Sequence, residues 1–77
     1  MKINILLFGQ LVDITGTDTI VVENMVDTNA LVNSLHRNFP ALSHSKYLIS
    51  VDKKIISANT LLEDNCNVAL LPPFSGG

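Results

Sequence analysis

The stretch VDTNALVNSLHRNFP, residues 26–40, decides the fold, because here the hydrophobic pattern changes from alternation to helical spacing. Leu31, Leu35 and Phe39 recur at the interval of one helix face, behind an aspartate suited to the N-cap position. The proline that closes the stretch cannot continue a helix. The sequence therefore predicts one principal helix, from about Thr28 to Asn38.

Before this helix the sequence predicts a hairpin of two antiparallel strands. Lys2–Phe8 alternates against a β-rich background, and Thr17–Glu23 is rich in Thr, Ile and Val. Gln10–Gly16 is predicted to connect the two strands as a loop that contains one helical turn.

Three more strands are predicted after the helix. Tyr47–Val51 and Ile55-Ile56 form a short hairpin across a turn at residues 52–54, and Asn67–Leu71 is the last strand. The intervening segment, Asn59–Leu62, is predicted to be a single helical turn.

The order of these elements predicts an α+β domain over residues 1–71. One helix can cover only one face of a sheet, so the helix packs on one face and the other face stays open. With the first and last strands as neighbours at the centre of a mixed sheet, this is the architecture of a ubiquitin-like β-grasp.

Composition argues against several classes of function. The net charge of −2 and the lack of a basic cluster beyond Lys53-Lys54 argue against nucleic acid as a partner. No apolar run approaches the ~20 residues of a membrane span. The single cysteine, Cys66, allows no internal disulfide, so we expect a cytoplasmic protein in a reducing compartment.

The strand pattern predicts an exposed apolar patch on the open face of the sheet. Alternate residues of a strand face opposite sides, and the inward set of the first strand is Ile3, Ile5 and Leu7. Leu6 and Phe8 then face outward, on the same side as Leu71 of the last strand. A small domain rarely exposes such a patch without a partner; the alternative is that loop residues cover it.

The segment after the last strand, Pro72-Pro73-Phe74-Ser75-Gly76-Gly77, is predicted to be a flexible tail over residues 72–77. The two prolines fix φ and remove amide donors, so the chain leaves the fold as an extended arm. Glycine has no Cβ, so the Gly76-Gly77 tip can enter a narrow active site. The alternative is a frayed end without a role.

The terminal carboxylate of Gly77 is the one group that the sequence places for chemistry. The sequence contains no phosphate-binding loop, no metal-spaced Cys/His set and no Ser-His-Asp constellation. Because a carboxylate resists nucleophiles, a partner must first convert it to an acyl-adenylate with ATP. Attack by sulfur would then give a thiocarboxylate and attack by an amine would give an amide bond, and the residues alone do not choose between these products.

Two segments carry a resemblance to a known family. They are Leu7-Phe8-Gly9-Gln10-Leu11 near the start and Val68-Ala69-Leu70-Leu71-Pro72-Pro73-Phe74-Ser75-Gly76-Gly77 at the end. The chain resembles the small, sulfur-carrying subunit of molybdopterin synthase (the MoaD type). The tail is the specific part, because that family's pattern is two prolines, an apolar residue, Ser or Thr, and Gly-Gly. Gly9 departs from the family's usual alanine.

The resemblance implies a sulfur carrier rather than an enzyme. Gly77 would be adenylated with ATP by a ubiquitin-activating-like adenylyltransferase and converted to a thiocarboxylate by a persulfide sulfur donor, with Gly76 giving clearance. The tail would then enter the large catalytic subunit of a heterotetrameric molybdopterin synthase and give sulfur to cyclic pyranopterin monophosphate, in molybdenum cofactor biosynthesis. The chain itself would bind no cofactor or metal stably. The partner-binding residues would be Leu6, Phe8, Leu71, Pro72, Pro73, Phe74 and Ser75.

Three other functions stay open. A sulfur carrier for thiamine or for tRNA thiolation shares the fold and the Gly-Gly end, although the Pro-Pro pair counts against it. A ubiquitin-like covalent protein modifier would instead be joined to target lysines through Gly77. A binding module with an idle tail would keep its function if the chain ended at Ser75.

Overall fold

A mixed five-stranded sheet and one long helix form the two layers of the fold. The computed structural model of the chain describes residues 2–73. Within this range the elements are β1 (Lys2–Leu7), α1 (Gln10–Thr15), β2 (Thr19–Glu23), α2 (Thr28–Asn38), a 3-10 helix (Pro40–His44), β3 (Leu48–Val51), β4 (Lys54–Ile56) and β5 (Asn67–Leu71). None of these helices has the length and apolar character needed to cross a membrane.

The strands are arranged in the order β2-β1-β5-β3-β4. The two central strands, β1 and β5, run parallel, and all other neighbours are antiparallel. The predicted ubiquitin-like β-grasp, with a mixed sheet and the first and last strands side by side, is confirmed. Because β1 and β5 are parallel, both end at the same edge of the sheet.

The principal helix, α2, has the predicted bounds. The carboxylate of Asp27 accepts a hydrogen bond from the backbone N–H of Ala30 at 2.9 Å, which satisfies one of the free donors of the first turn. The helix ends two residues before Pro40, which cannot continue it. Leu31 and Leu35 lie on its buried face.

The hydrophobic core fills the space between α2 and one face of the sheet. Its buried members are Ile3, Ile5, Leu7, Leu11, Leu31, Leu35, Leu42, Leu62, Cys66, Val68 and Leu70. The predicted inward set of β1 is therefore confirmed. Cys66 is buried among these residues as a free thiol.

The predicted helical turn at Asn59–Leu62 is wrong, because this segment is extended against the start of α2. Leu61 forms an isolated antiparallel bridge with Asp27. The side-chain oxygen of Asn59 accepts a hydrogen bond from the backbone N–H of Asn29 at 2.9 Å. These contacts with α2 outweigh the local preference of four residues for a turn.

Two short helices differ from the sequence prediction. The loop after β1 is a six-residue helix, α1, rather than a single turn, and it buries Leu11. The 3-10 helix at Pro40–His44 was not predicted; it buries Leu42, and the Ser43 hydroxyl donates to the carbonyl of Pro40 at 2.7 Å. In each of these short helices, one buried leucine packs into the core and holds the segment against it.

Candidate functional site

The sheet face opposite α2 carries an apolar groove of about 500 Å³. Its lining residues are Leu6, Phe8, Ser50, Asp52, Lys53, Asn67, Val68, Ala69 and Leu71. In the register of the sheet, Ala69 lies between Leu6 on β1 and Ser50 on β3. The small side chains of Ala69 and Ser50 leave the depression between larger neighbours.

Large apolar side chains form the walls of this groove. Leu6 is 39% exposed and Phe8 is 44% exposed, whereas Leu71 is half-buried. The predicted outward orientation of these residues is confirmed, and residues 2–73 do not cover Leu6 or Phe8. A hydrophobic surface of this kind on a small domain is typical of a site that binds a partner.

The turn between β3 and β4 supplies a polar rim. Asp52 and Lys53 have φ values of 47° and 72°, the left-handed conformation of a tight hairpin turn. The carboxylate of Asp52 accepts a hydrogen bond from the backbone N–H of Asn67 at 3.0 Å, and its own backbone N–H donates to the Asn67 carbonyl at 2.8 Å. The turn is thereby fixed beside the start of β5, and Lys53 is exposed at the groove. Apolar centres with polar rims are the usual anatomy of protein interfaces.

The tail leaves the fold at the same edge as the groove. Pro72 follows directly after β5 and is half-buried, and Pro73 is exposed. The ring of Pro72 lies so close to Gly9 that a Cβ on Gly9 would be 2.8 Å from the proline Cγ. The other predicted site residues, Phe74, Ser75, Gly76 and Gly77, lie outside the described residues.

Sequence reasoning missed part of this site. Ser50, Asp52 and Lys53 line the groove but were not proposed as partner-binding residues. A signal was present for Ser50, a small polar residue among the apolar residues of β3. The sequence shows Gly9 as a departure from the resembled family, but its proximity to the ring of Pro72 is visible only in the folded structure.

The displaced pKa values in the described chain lie at the two ends of α2, away from the groove. The backbone N–H of Ala30, and after it the side chain of Asn59, lower the pKa of Asp27. Burial raises the pKa of Tyr47, whose hydroxyl lies 2.6 Å from Nε2 of His36. Among residues 2–73 no group of His, Cys, Asp and Glu side chains could hold a metal ion.

The sheet order, the single covering helix and the groove beside the chain's exit define a protein of the ubiquitin-like β-grasp class. The family model described as the ThiS family matches residues 5–77. The chain belongs to the ThiS family.

Known proteins similar to this chain include one curated relative and two solved structures. The molybdopterin synthase sulfur carrier subunit of Mycobacterium tuberculosis is 30% identical over 82 residues, which cover 100% of this chain and 99% of that protein. SAMP1 of Haloferax volcanii, a small archaeal modifier protein, matches with a TM-score of 0.82 at 20% identity, over 100% of both chains. A complex of subunits 1 and 2 of the molybdopterin-converting factor from Helicobacter pylori contains a chain that matches with a TM-score of 0.75 at 22% identity, again over 100% of both chains. At these identities the two structures show a shared fold.

Proposed function

We propose that this protein is a sulfur carrier for molybdopterin synthesis, with the reactive carboxyl group on Gly77. The observation that carries this proposal is the open apolar groove at the edge where the chain leaves the sheet towards its Gly-Gly end. Membership of the ThiS family and the name of the curated relative support it. The proposal requires Gly77 to bear the free terminal carboxylate.

The proposed cycle begins with activation of that carboxylate. An oxygen of Gly77 attacks the α-phosphorus of ATP, and pyrophosphate leaves as the acyl-adenylate forms. The terminal sulfur of a persulfide then attacks the acyl carbon and AMP leaves. A thiol reduces the resulting acyl disulfide, which releases the thiocarboxylate and leaves a disulfide on the donor.

The second half of the cycle transfers sulfur to cyclic pyranopterin monophosphate. The thiocarboxylate sulfur attacks a carbon of the pterin precursor and displaces an oxygen substituent, so that a C–S bond forms as a C–O bond breaks. Water then cleaves the thioester, which leaves the sulfur on the pterin as a thiol and returns the carboxylate to Gly77. The groups that catalyse these steps belong to the partners, which makes the chain a carrier subunit and not an enzyme by itself. Gly76 contributes clearance, since it has no side chain.

The groove is the proposed docking surface for both partners that receive the tail. Leu6, Phe8 and Leu71 supply the apolar contact, and residues 72–75 guide the tail into the partner's active site. The large synthase subunit and the adenylyltransferase must each bind next to the point where the tail leaves. The Helicobacter pylori structure is a complex of two subunits of the converting factor, which supports a second subunit as one of these partners.

A covalent protein modifier is the second candidate function. The observation that favours it is the fold match to a small archaeal modifier protein. Both functions share the acyl-adenylate, and they differ in the nucleophile that attacks it: persulfide sulfur for the carrier and a lysine amine for the modifier. A carrier for thiamine or tRNA thiolation differs from our proposal only in the final sulfur acceptor.

Deletion of Gly77 tests the proposal in a reconstituted system with ATP, adenylyltransferase, persulfide donor and large subunit. The deletion moves the reactive carbon back by one residue, about 3.3–3.6 Å in an extended chain. Misplacement on this scale costs roughly 100-fold in rate, so sulfur transfer to the pterin precursor is expected to fall by about that factor. One residue added after Gly77 is expected to have a similar effect. Thermal stability should stay that of the parent, and full activity of either variant would exclude Gly77 as the carrier.

A further inference from the structure

The turn between β3 and β4 contains a lysine in a backbone conformation that lysine rarely adopts. Among residues 2–73, positive φ values occur at Gly9, Gly16, Asn24, Asp52, Lys53 and Asn65. Glycine has no Cβ, and the short polar side chains of Asn and Asp tolerate this conformation. Lys53, with a φ of 72°, is therefore the member of this set whose residue type does not suit its backbone.

The hairpin turn explains the positive φ at position 53, but not the lysine. Val51 pairs with Lys54, so the loop consists of two residues, and such loops need positive φ at both, with glycine strongly preferred at the second. Asp52, at the first, holds the turn in place by accepting a hydrogen bond from the N–H of Asn67. Glycine at position 53 would serve the fold better than lysine, whose Cβ disfavours this conformation.

Lys53 lies at the end of the groove that is remote from the tail. The turn is hydrogen-bonded to Asn67, the first residue of β5, whereas the tail follows Leu71, the last residue. Four residues at the rise of a strand place these two ends about 13 Å apart. The groove therefore has the apolar side chains of Phe8 and Leu71 at its tail end and an exposed lysine at the other.

Lys54 is the natural comparison for Lys53. It is opposite Val51 in the register, and opposite residues of an antiparallel pair share a face of the sheet. Val51 packs against the core, so Lys54 lies on the covered side and does not line the groove. Both lysines are exposed. The two adjacent residues therefore carry the same charge on opposite sides of the sheet.

We propose that Lys53 is a specificity-determining residue, which pairs with a carboxylate of the large synthase subunit and fixes the direction in which that subunit lies along the groove. This inference rests on the proposed function, which makes the groove a docking surface. Apolar contacts are non-directional, whereas a charge at one end of an apolar surface fixes the register of the partner. This role accounts for a lysine at a position where the turn favours glycine.

The test measures the Kd of the full chain and its variants for the large subunit by titration calorimetry. Lys53→Glu is expected to raise Kd about 20-fold, because it places like charges opposite each other. Lys54→Glu, the matched control, changes the net charge equally and should keep Kd within about 2-fold of the wild type. Lys53→Arg keeps the charge and should bind like the wild type. The effect of Lys53→Glu should shrink between about 0.1 M and about 1 M salt, as screening increases.

Lys53→Gly separates recognition from folding. It removes the charge together with the strained Cβ, so Tm should rise while Kd increases about 5-fold. A lysine with only a structural role would not produce this combination, because its loss would not weaken the binding of a more stable chain.

Three results would overturn the inference. The first is an equal Kd for Lys53→Glu and Lys54→Glu, and the second is a wild-type Kd for Lys53→Gly. The third is an unchanged or lower Tm for Lys53→Gly, which would remove the premise that the turn favours glycine. A wild-type chain that does not bind the large subunit would instead overturn the proposed function, and the inference would fall with it.

Discussion

The two faces of the sheet are built from the same strands but differ in what covers them. On β1, Ile5 and Leu7 are 0% and 2% exposed beneath α2, while their neighbours Leu6 and Phe8 are 39% and 44% exposed on the other side. Both faces are apolar at this end of the strand. The difference is therefore in the covering layer, because the fold has one helix for two faces.

Within one strand, the residues of the covered face contribute to folding stability, and the residues of the open face are available to bind a partner. A fully buried Leu or Ile side chain contributes about 1.5–3 kcal/mol through removal from water, and the covered face has already gained this free energy on folding. The open face can still gain it when a partner covers the groove. Substitutions on the covered face should therefore change folding, and substitutions on the open face should change binding.

The largest expected effect is on the free energy of unfolding, and it should distinguish Leu7 on the covered face from its neighbour Leu6 on the open face. Leu7→Ala should lower the free energy of unfolding by about 2–5 kcal/mol, and Leu35→Ala on the helix should fall in the same range, because each leaves a cavity in the core. Leu6→Ala, the matched control on the open face, should change it by less than about 1 kcal/mol. Urea denaturation of the three variants measures the free energy of unfolding for each. An equal decrease for Leu6→Ala and Leu7→Ala would contradict the distinction between the two faces.

The next effect is on partner binding. Phe8→Ala is expected to weaken binding to the large subunit by about 1–4 kcal/mol while leaving stability nearly unchanged, since aromatic anchors often dominate interface energy. Val21→Ala is the matched control, because Val21 is exposed on the edge strand of the same face but does not line the groove. Titration calorimetry of each folded variant measures the change. If Phe8→Ala unfolds the domain and its folded fraction binds normally, Phe8 belongs to the core.

The smallest effect concerns acid stability at Asp27, the N-cap residue of the helix that covers one face of the sheet. Its pKa is lowered below the usual 3.8 by the N–H of Ala30 and by Asn59, so the ionised form is favoured in the folded chain. Its contribution is complete above about pH 5 and is lost as the pH falls through 3.8 towards the lowered folded-state value. Asp27→Asn keeps an acceptor for the N-cap bond but does not titrate.

Melting curves of both proteins between neutral and acid pH isolate this contribution. We expect the Tm of the wild type to fall more than that of Asp27→Asn. The affinity of the open face for the large subunit, measured where the chain is folded, should not depend on Asp27. A parallel decline of Tm in both proteins would show that this carboxylate contributes nothing to acid lability.

Much of the fold follows from periodicity. The bounds of α2 are predictable because an N-cap aspartate and a proline mark both ends of a helical pattern, and alternation in β1 separates Ile5 from Leu6. The Asn59–Leu62 segment is not predictable in this way, since it is held by hydrogen bonds to residues at the start of α2. Local sequence contains no signal for such a partner.

The candidate site also contains residues that the sequence predicts and residues that only the folded structure brings together. Leu6, Phe8 and Leu71 are predictable as outward residues once β1 and β5 are neighbours, which the fold class supplies. The floor of the groove depends on the register that places Ser50 beside Ala69, and a register cannot be derived from one strand alone. The contact between Gly9 and Pro72 joins opposite ends of the chain and emerges only from the folded structure.

The central claim is that the carboxyl group of Gly77 is exchanged for a thiocarboxylate, and intact-mass measurement tests it most directly. The full chain is co-expressed with the adenylyltransferase and the persulfide donor, purified, and compared with the chain expressed alone. We predict a mass gain equal to the replacement of one oxygen by one sulfur, located by fragmentation on the peptide that ends in Gly77. An unchanged mass, or a ladder of conjugates to other proteins in place of the sulfur-containing species, would contradict the sulfur-carrier account.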